Sequence, residues 1–165
     1  MKKALVVYYS LDGNTKAAAE EISEKLCCDS EEIRLVKPMP KSNFARFIVG
    51  GGQATLKKIV PIKPLEHNPE NYDCIVIGTP VWAGKPSSPI MSFIDGCSQK
   101  EKIIAAFSSS AGGDNGKCVA ALRKKLPSIV LDCALGDRRG KYAGRNTENI
   151  SSFIEALRKF LNTDQ

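Results

Sequence analysis

The sequence predicts an α/β fold, a doubly wound parallel sheet with helices on both faces. Three observations carry that prediction. Near-continuous apolar runs of strand length recur along the chain, the pattern of strands covered on both sides. Stretches with apolar residues at helical spacing stand between them. Strand and helix alternate to the end of the chain, as parallel strands joined by crossover helices require. With 165 residues, one domain over 1–165 is expected. A chain of that size buries roughly 70% of its unfolded surface and needs no staples.

Each element has its own signal. Residues 3–9 (KALVVYY) read as the first strand. This apolar run is shorter than a signal-peptide core and meets Asp12 with no small-residue cleavage pattern, so the protein is expected in the cytoplasm. A helix begins at about Asn14, where Ala18, Ala19, Ile22 and Leu26 form one stripe. Residues 31–37 (EEIRLVK) alternate and read as a less buried strand. Residues 72–78 (YDCIVIG), 102–108 (KIIAAFS) and 128–135 (SIVLDCAL) read as the third, fourth and fifth strands. Between them, SSPIMSFIDG carries serine caps, Pro89 at the first helical position and Gly96 as a stop. NGKCVAALRKKLP carries Val119, Leu122 and Leu126 and is stopped by Pro127. The last helix, TENISSFIEALRKFLN, repeats Ile150, Phe153, Ile154, Leu157 and Phe160 at helical spacing.

Residues 38–71 break the alternation and read as an extended helical insertion. Phe44, Phe47 and Ile48 share a side, and Gly50, Gly51 and Gly52 interrupt the pattern. Each interior glycine costs about 1 kcal/mol relative to alanine, so a kinked or split helix is expected, then an extended stretch.

Composition excludes several classes. No apolar run approaches the ~18 residues of a membrane span. The six cysteines include no C-x-x-C pair and His67 is the single histidine, so no metal site is expected. Cys74 and Cys133 sit in apolar runs and read as core thiols, while acidic neighbours deny Cys27–Cys28 the surroundings of a reactive thiol. The net charge is +6, and its excess lies late: eight basic residues against Asp132 and Asp137 between positions 117 and 145. No aromatic-basic interleaving or nucleic-acid motif accompanies them, so nucleic acid is not the expected partner. An acidic protein or a phosphorylated ligand fits such a segment.

In an open parallel sheet, ligands bind past the carboxyl ends of the strands. Those places are SLDGNT after the first strand, TPVWAGKPSSP after the third and SSSAGGDNG after the fourth, all rich in small or hydroxyl residues. In the first, Ser10, Asn14 and Thr15 offer donors, Gly13 lets the backbone approach, and the following helix aims its free amides at the loop. Two readings stand: a phosphate cradle, or capping of the helix by Asn14 or Thr15. Trp82, the single tryptophan, likewise reads either as a platform for a flat ligand or as a hydrophobic plug. There is no Walker-type P-loop and no G-x-G-x-x-G.

Together the three loops resemble the flavodoxin family, whose first loop reads Ser/Thr-x-Thr-Gly-Asn-Thr. The resemblance covers the whole chain in element order. It implies a five-stranded sheet of order 2-1-3-4-5, bound FMN and an electron-transfer function. Carried over by position, it implies that Ser10, Leu11, Asp12, Gly13, Asn14 and Thr15 hold the FMN phosphate. Thr79, Pro80, Val81, Trp82, Ala83 and Gly84 would line the flavin ring, and Ser109, Ser110, Gly112 and Gly113 its other side. No catalytic acid or base is nominated, and His67 reads as a surface residue. Three features depart from the family. Asp12 stands where a threonine is usual and must turn away from a phosphate. The third loop lacks the usual stacking tyrosine, leaving the outer face open, or covered by Tyr142 or by Phe44 and Phe47. The chain is basic where many flavodoxins are acidic.

An FMN-binding electron carrier is the leading expectation, supported by the short chain and the lack of a recognisable pyridine-nucleotide site. The alternative is an FMN-dependent NAD(P)H:quinone-type reductase, which an open outer face would suit. The expected partner is a redox protein, acidic on the evidence of the basic segment, or a small flat electron acceptor. Arg138, Arg139, Lys141 and Arg145 are expected to steer it. A phosphoacceptor receiver would need an acidic cluster after the first strand, where YYS stands, and an aspartate after the third, where GTP stands.

Overall fold

Apolar strands alternate their side chains across a sheet, so a strand apolar throughout must be covered twice. The computed structural model, which describes residues 2–39 and 59–162, has this arrangement. Strands β1 (Ala4–Tyr8), β2 (Asp29–Glu32), β3 (Cys74–Trp82), β5 (Ile103–Ser110) and β6 (Leu131–Gly136) run parallel in the order β2-β1-β3-β5-β6. The two-residue β4 (Lys85–Pro86) pairs antiparallel with the end of β3. With β4 set aside, this is the expected 2-1-3-4-5 order.

Helices α1 (Asn14–Leu26), α2 (Ser88–Gly96), α3 (Gly116–Lys125) and α4 (Asn146–Asn162) cover the sheet. Ala4, Val6 and Tyr8 pack with Ala18, Ile22, Phe153 and Leu157, so α1 and α4 take one face. Leu5 and Val7 pack with Ile90, Ile94 and Leu122, so α2 and α3 take the other. Each buried Val, Leu, Ile or Phe side chain among them contributes about 1.5–3 kcal/mol. Gly78 is required by this packing: a Cβ there would stand 2.2 Å from Phe107 Cζ.

The strands differ from expectation at their ends. β2 spans Asp29–Glu32 instead of 31–37 because its partner sets the register: Leu5 pairs with Asp29 and Tyr8 with Glu32, and there β1 ends. Leu35 turns away to bridge Ile62. β3 runs four residues past 78, β5 runs on to Ser110, and β6 starts only at Leu131.

The helical part of the 38–71 insertion, with Phe44, Phe47 and the glycine run, lies outside the described residues. Its described end is extended before a single 3-10 turn at Pro69–Asn71. Glu31 fastens it, accepting from Glu66 N at 2.7 Å and His67 N at 2.8 Å. Cys74 and Cys133 are buried as expected. Burial pushes the Cys28 thiol up to about 12, which leaves it a poor nucleophile. No helix among the described residues is long and apolar enough to cross a membrane.

Candidate functional site

The first loop is tied by its own side chains. Ser10 Oγ accepts from Gly13 N at 3.1 Å, and Asp12 Oδ1 accepts from Asn14 N at 3.3 Å. Gly13 is the residue before α1 and sits at φ 88, a conformation other residues enter at a cost. The N-cap residue is a glycine and supplies no side-chain cap, and Asp12 takes only the first amide of the helix. Asn14 Oδ1 accepts instead from Arg138 N at 3.0 Å, and the Thr15 hydroxyl lies 2.8 Å from that of Ser109. The capping reading therefore fails here. The remaining first-turn amides have no partner within the helix, and they carry its positive end. A Cβ at Gly13 would meet nothing within 4 Å, so the loop is open. Free amides, a serine hydroxyl and an open glycine fit a phosphate group. Exposed Asp12 bonds back onto Asn14 N, so it takes one amide from the cradle.

The second segment is a hairpin rather than a loop. Thr79, Pro80, Val81 and Trp82 extend β3, Ala83 and Gly84 turn, and Lys85–Pro86 return. The turn residues have φ 49 and φ 74, both positive, as a two-residue type I′ turn needs. Ala83 holds this conformation without being glycine, which stores roughly 1–2 kcal/mol of strain at an exposed tip. Trp82 is only 8% exposed and meets Tyr9 edge-on at 5.8 Å and 89°. Its indole thus belongs to the core cluster on the α2 and α3 side. Thr79, fully buried, accepts from Ser87 N at 2.9 Å and closes the hairpin base.

The third loop is stitched to its neighbours. Ser110 Oγ donates to Asn115 Oδ1 at 2.6 Å, and Asn115 Nδ2 donates to Ser108 O at 2.6 Å. Gly112 is exposed, and a Cβ there would also meet nothing within 4 Å. Gly113 (φ 65) is seated against Tyr142: a Cβ would stand 2.8 Å from Tyr142 Cγ. A Cβ on Gly136 would stand 2.7 Å from Tyr142 Cβ. Tyr142, one of the residues considered for the outer face, therefore rests in a seat made by two glycines.

Sequence reasoning missed how fully the segment after β6 belongs to this site. Asp137 N donates to Ser110 O at 3.2 Å and Arg138 N to Asn14, joining it to the third and first loops. A recess of about 440 Å³ opens between Asp12, Asn14, Asp137, Arg138, Arg139 and Gly140. Burial, then the nearby Asp12, raises the Asp137 carboxyl above the usual carboxylate range. Asn115, 2% exposed, was also missed; a buried asparagine can only be recognised once the strands it joins are adjacent. The Ser108 hydroxyl is the buried side-chain polar atom left without a partner among the described residues.

Comparisons with known proteins agree with this arrangement. The family model described as Flavodoxin matches residues 3–142. An NAD(P)H dehydrogenase (quinone) of Cupriavidus metallidurans is 30% identical over 124 residues, covering 71% of this chain and 61% of that one. The chain thus spans about three-fifths of that relative's length. The crystal structure of a Lactobacillus acidophilus flavoprotein in complex with FMN superposes with a TM-score of 0.68, at 25% identity, covering 90% of this chain and 99% of that one. Oxidised Flavodoxin 2 of Bacillus cereus, 18% identical, shares the fold with a TM-score of 0.58 over 96% of this chain and 99% of its own.

Proposed function

The chain belongs to the flavodoxin family, and we propose that it binds FMN at the carboxyl end of its sheet and works as an electron carrier. The carrying observation is the convergence of three segments, after β1, β3 and β5, around a helix N-terminus whose N-cap residue is glycine. Bound FMN supplies reversible uptake and release of electrons, and the protein supplies binding and orientation. Ser10, Gly13 and the first amides of α1 bind the phosphate, with Asn14 and Thr15 bracing the loop against Arg138 and Ser109. Trp82, backed by Tyr9, and the Ala83–Gly84 turn border the ring on one side. Ser109, Ser110, Gly112 and Gly113 border it on the other, with Tyr142 behind Gly113. The cytoplasm is the proposed compartment, where thiols such as the four buried here stay reduced.

A second reading, an NAD(P)H:quinone-type reductase, is favoured by the name its curated relatives carry. One sequence of measurements tests both. The purified protein should be yellow, and the apoprotein should bind FMN far more tightly than riboflavin. A colourless protein with equal affinity for the two would refute the phosphate cradle. Anaerobic NADPH followed by a quinone then separates the functions: slow or absent turnover supports the carrier, and rapid turnover replaces it with the reductase.

A further inference from the structure

We propose that the cofactor end of the sheet is a docking face for an acidic redox protein, built by Lys117, Arg138, Arg139, Lys141 and Arg145, a proposal that rests on the flavin reading above. All five are exposed, and none has an ion-pair partner among the described residues. Some cations elsewhere are matched, Lys3 with Asp29, Lys25 with Glu21, Arg123 with Asp132 and Lys125 with Asp95, whereas Lys63, Lys100 and Lys124 are scattered singly and also lack an ion-pair partner among the described residues.

The four cations after β6 stand on a fixed platform. The Asn146 side chain bonds Gly136 N and Gly136 O at 2.9 and 2.8 Å, Asp137 N bonds Ser110 O, and Arg138 N bonds Asn14. Tyr142 sits in its glycine seat, with Lys141 Nζ 5.6 Å from its ring centroid. Across the site, the Lys117 stem lies 3.7 Å from where a Gly84 Cβ would be. The cations therefore flank the loops on two sides.

Carboxylates share this end too, among them Glu148 in the first turn of α4. Asp12 and Asp114 are turned to the amides of Asn14 and Gly116, and Asp137 is half-buried. The five exposed cations outnumber these carboxylates, so the protein's own excess at this end is positive. A protein fits better than nucleic acid because the patch flanks the place where electrons would leave instead of forming a track along the molecule. Charges of this kind act on association rate, by tenfold to a thousandfold, and fade with salt.

The test uses the FMN-loaded protein, reduced anaerobically and mixed in a stopped-flow instrument with cytochrome b5, an acidic acceptor, or cytochrome c, a basic one. Raising ionic strength from about 0.01 to 1 M shortens the Debye length from about 30 to about 3 Å. The rate with cytochrome b5 should fall at least tenfold, while cytochrome c should react more slowly at low salt than at high. The R138E/R139E variant should reverse that order; its backbone bonds to the first loop do not involve the changed side chains. A salt-independent rate, a wild-type preference for cytochrome c, or salt-sensitive binding of a DNA duplex without binding of cytochrome b5 would overturn the proposal. Visible absorbance of each sample is read first. If the protein is colourless, the flavin reading fails separately, and calorimetric titration with cytochrome b5 still decides the docking face.

Discussion

The hydroxyl pair Thr15–Ser109 should behave as a unit. Its oxygens lie 2.8 Å apart, with Thr15 0% and Ser109 4% exposed, so water replaces neither partner. Thr15→Val keeps the shape and removes the hydroxyl, stranding that of Ser109. A stranded buried hydroxyl costs about 1–3 kcal/mol. At about 2–4 °C per kcal/mol for a chain of this size, the apoprotein should melt roughly 2–12 °C lower. Ser109→Ala should do the same from the other side. The double variant T15V/S109A removes both partners, so its loss should be smaller than the sum of the single losses by about 1 kcal/mol or more. Urea unfolding of the four proteins closes the cycle. Strict additivity would refute the bond.

Binding separates a second role for the same group. A hydrogen bond to a charged acceptor contributes about 1.5–3 kcal/mol, so T15V should weaken FMN about tenfold or more if the hydroxyl also reaches the phosphate. Riboflavin, which has no phosphate, should bind T15V and wild type alike. Equal losses for the two ligands would confine Thr15 to bracing the loops.

The remaining predictions concern glycines, the tryptophan and a carboxyl. Gly13→Ala should cost only the strain of its positive φ, about 1–2 kcal/mol, because its Cβ meets nothing; Gly113→Ala should cost more, by displacing Tyr142, and Tyr142→Ala should relieve that excess in urea unfolding. Trp82 emission should be quenched on FMN binding and the signal lost in Trp82→Phe; Trp82→Ala should instead destabilise the apoprotein by about 3–5 kcal/mol, since the indole is core. Asp137 has a folded-state pKa raised above its unfolded value, so its stability contribution is full below the unfolded value of about 3.9 and is lost as pH rises through the folded one. Asp137→Asn should therefore melt higher than wild type at pH 7 and lose that advantage near pH 3.

Most of the sheet was legible because its central strands are apolar on both faces, which few other folds permit. The edge was not. β2 carries Asp29, Ser30, Glu31 and Glu32, four polar residues whose strand state depends on pairing with β1, while the apolar alternation of 31–37 falls largely beyond the point where β1 ends. Local pattern reports burial, whereas strand length is set by the neighbour.

The same limit explains the second loop. Pro80 and Gly84, with the Lys85–Ser88 stretch of proline and serines that follows, carry a loop signature, yet the segment is strand and hairpin. Thr79, by closing on Ser87, holds the two arms together, and the ladder partner of Pro80 is Ser109 on β5. A type I′ turn is read from Asn-Gly or Asp-Gly, and Ala83–Gly84 offers only half of that signal. Alanine at φ 49 is strained, and such strain persists only where surrounding contacts hold it. Here Tyr9 fixes Trp82 on one arm and Ser87 fixes Thr79 at the base, so the tip has no cheaper conformation. Ala83→Gly should then stabilise the hairpin by removing the strain, about 1 kcal/mol in urea unfolding, less the entropy glycine adds to the unfolded chain. A loss of stability of that size would mean that Ala83 is relaxed in this turn and that the tip, not its base, sets the hairpin.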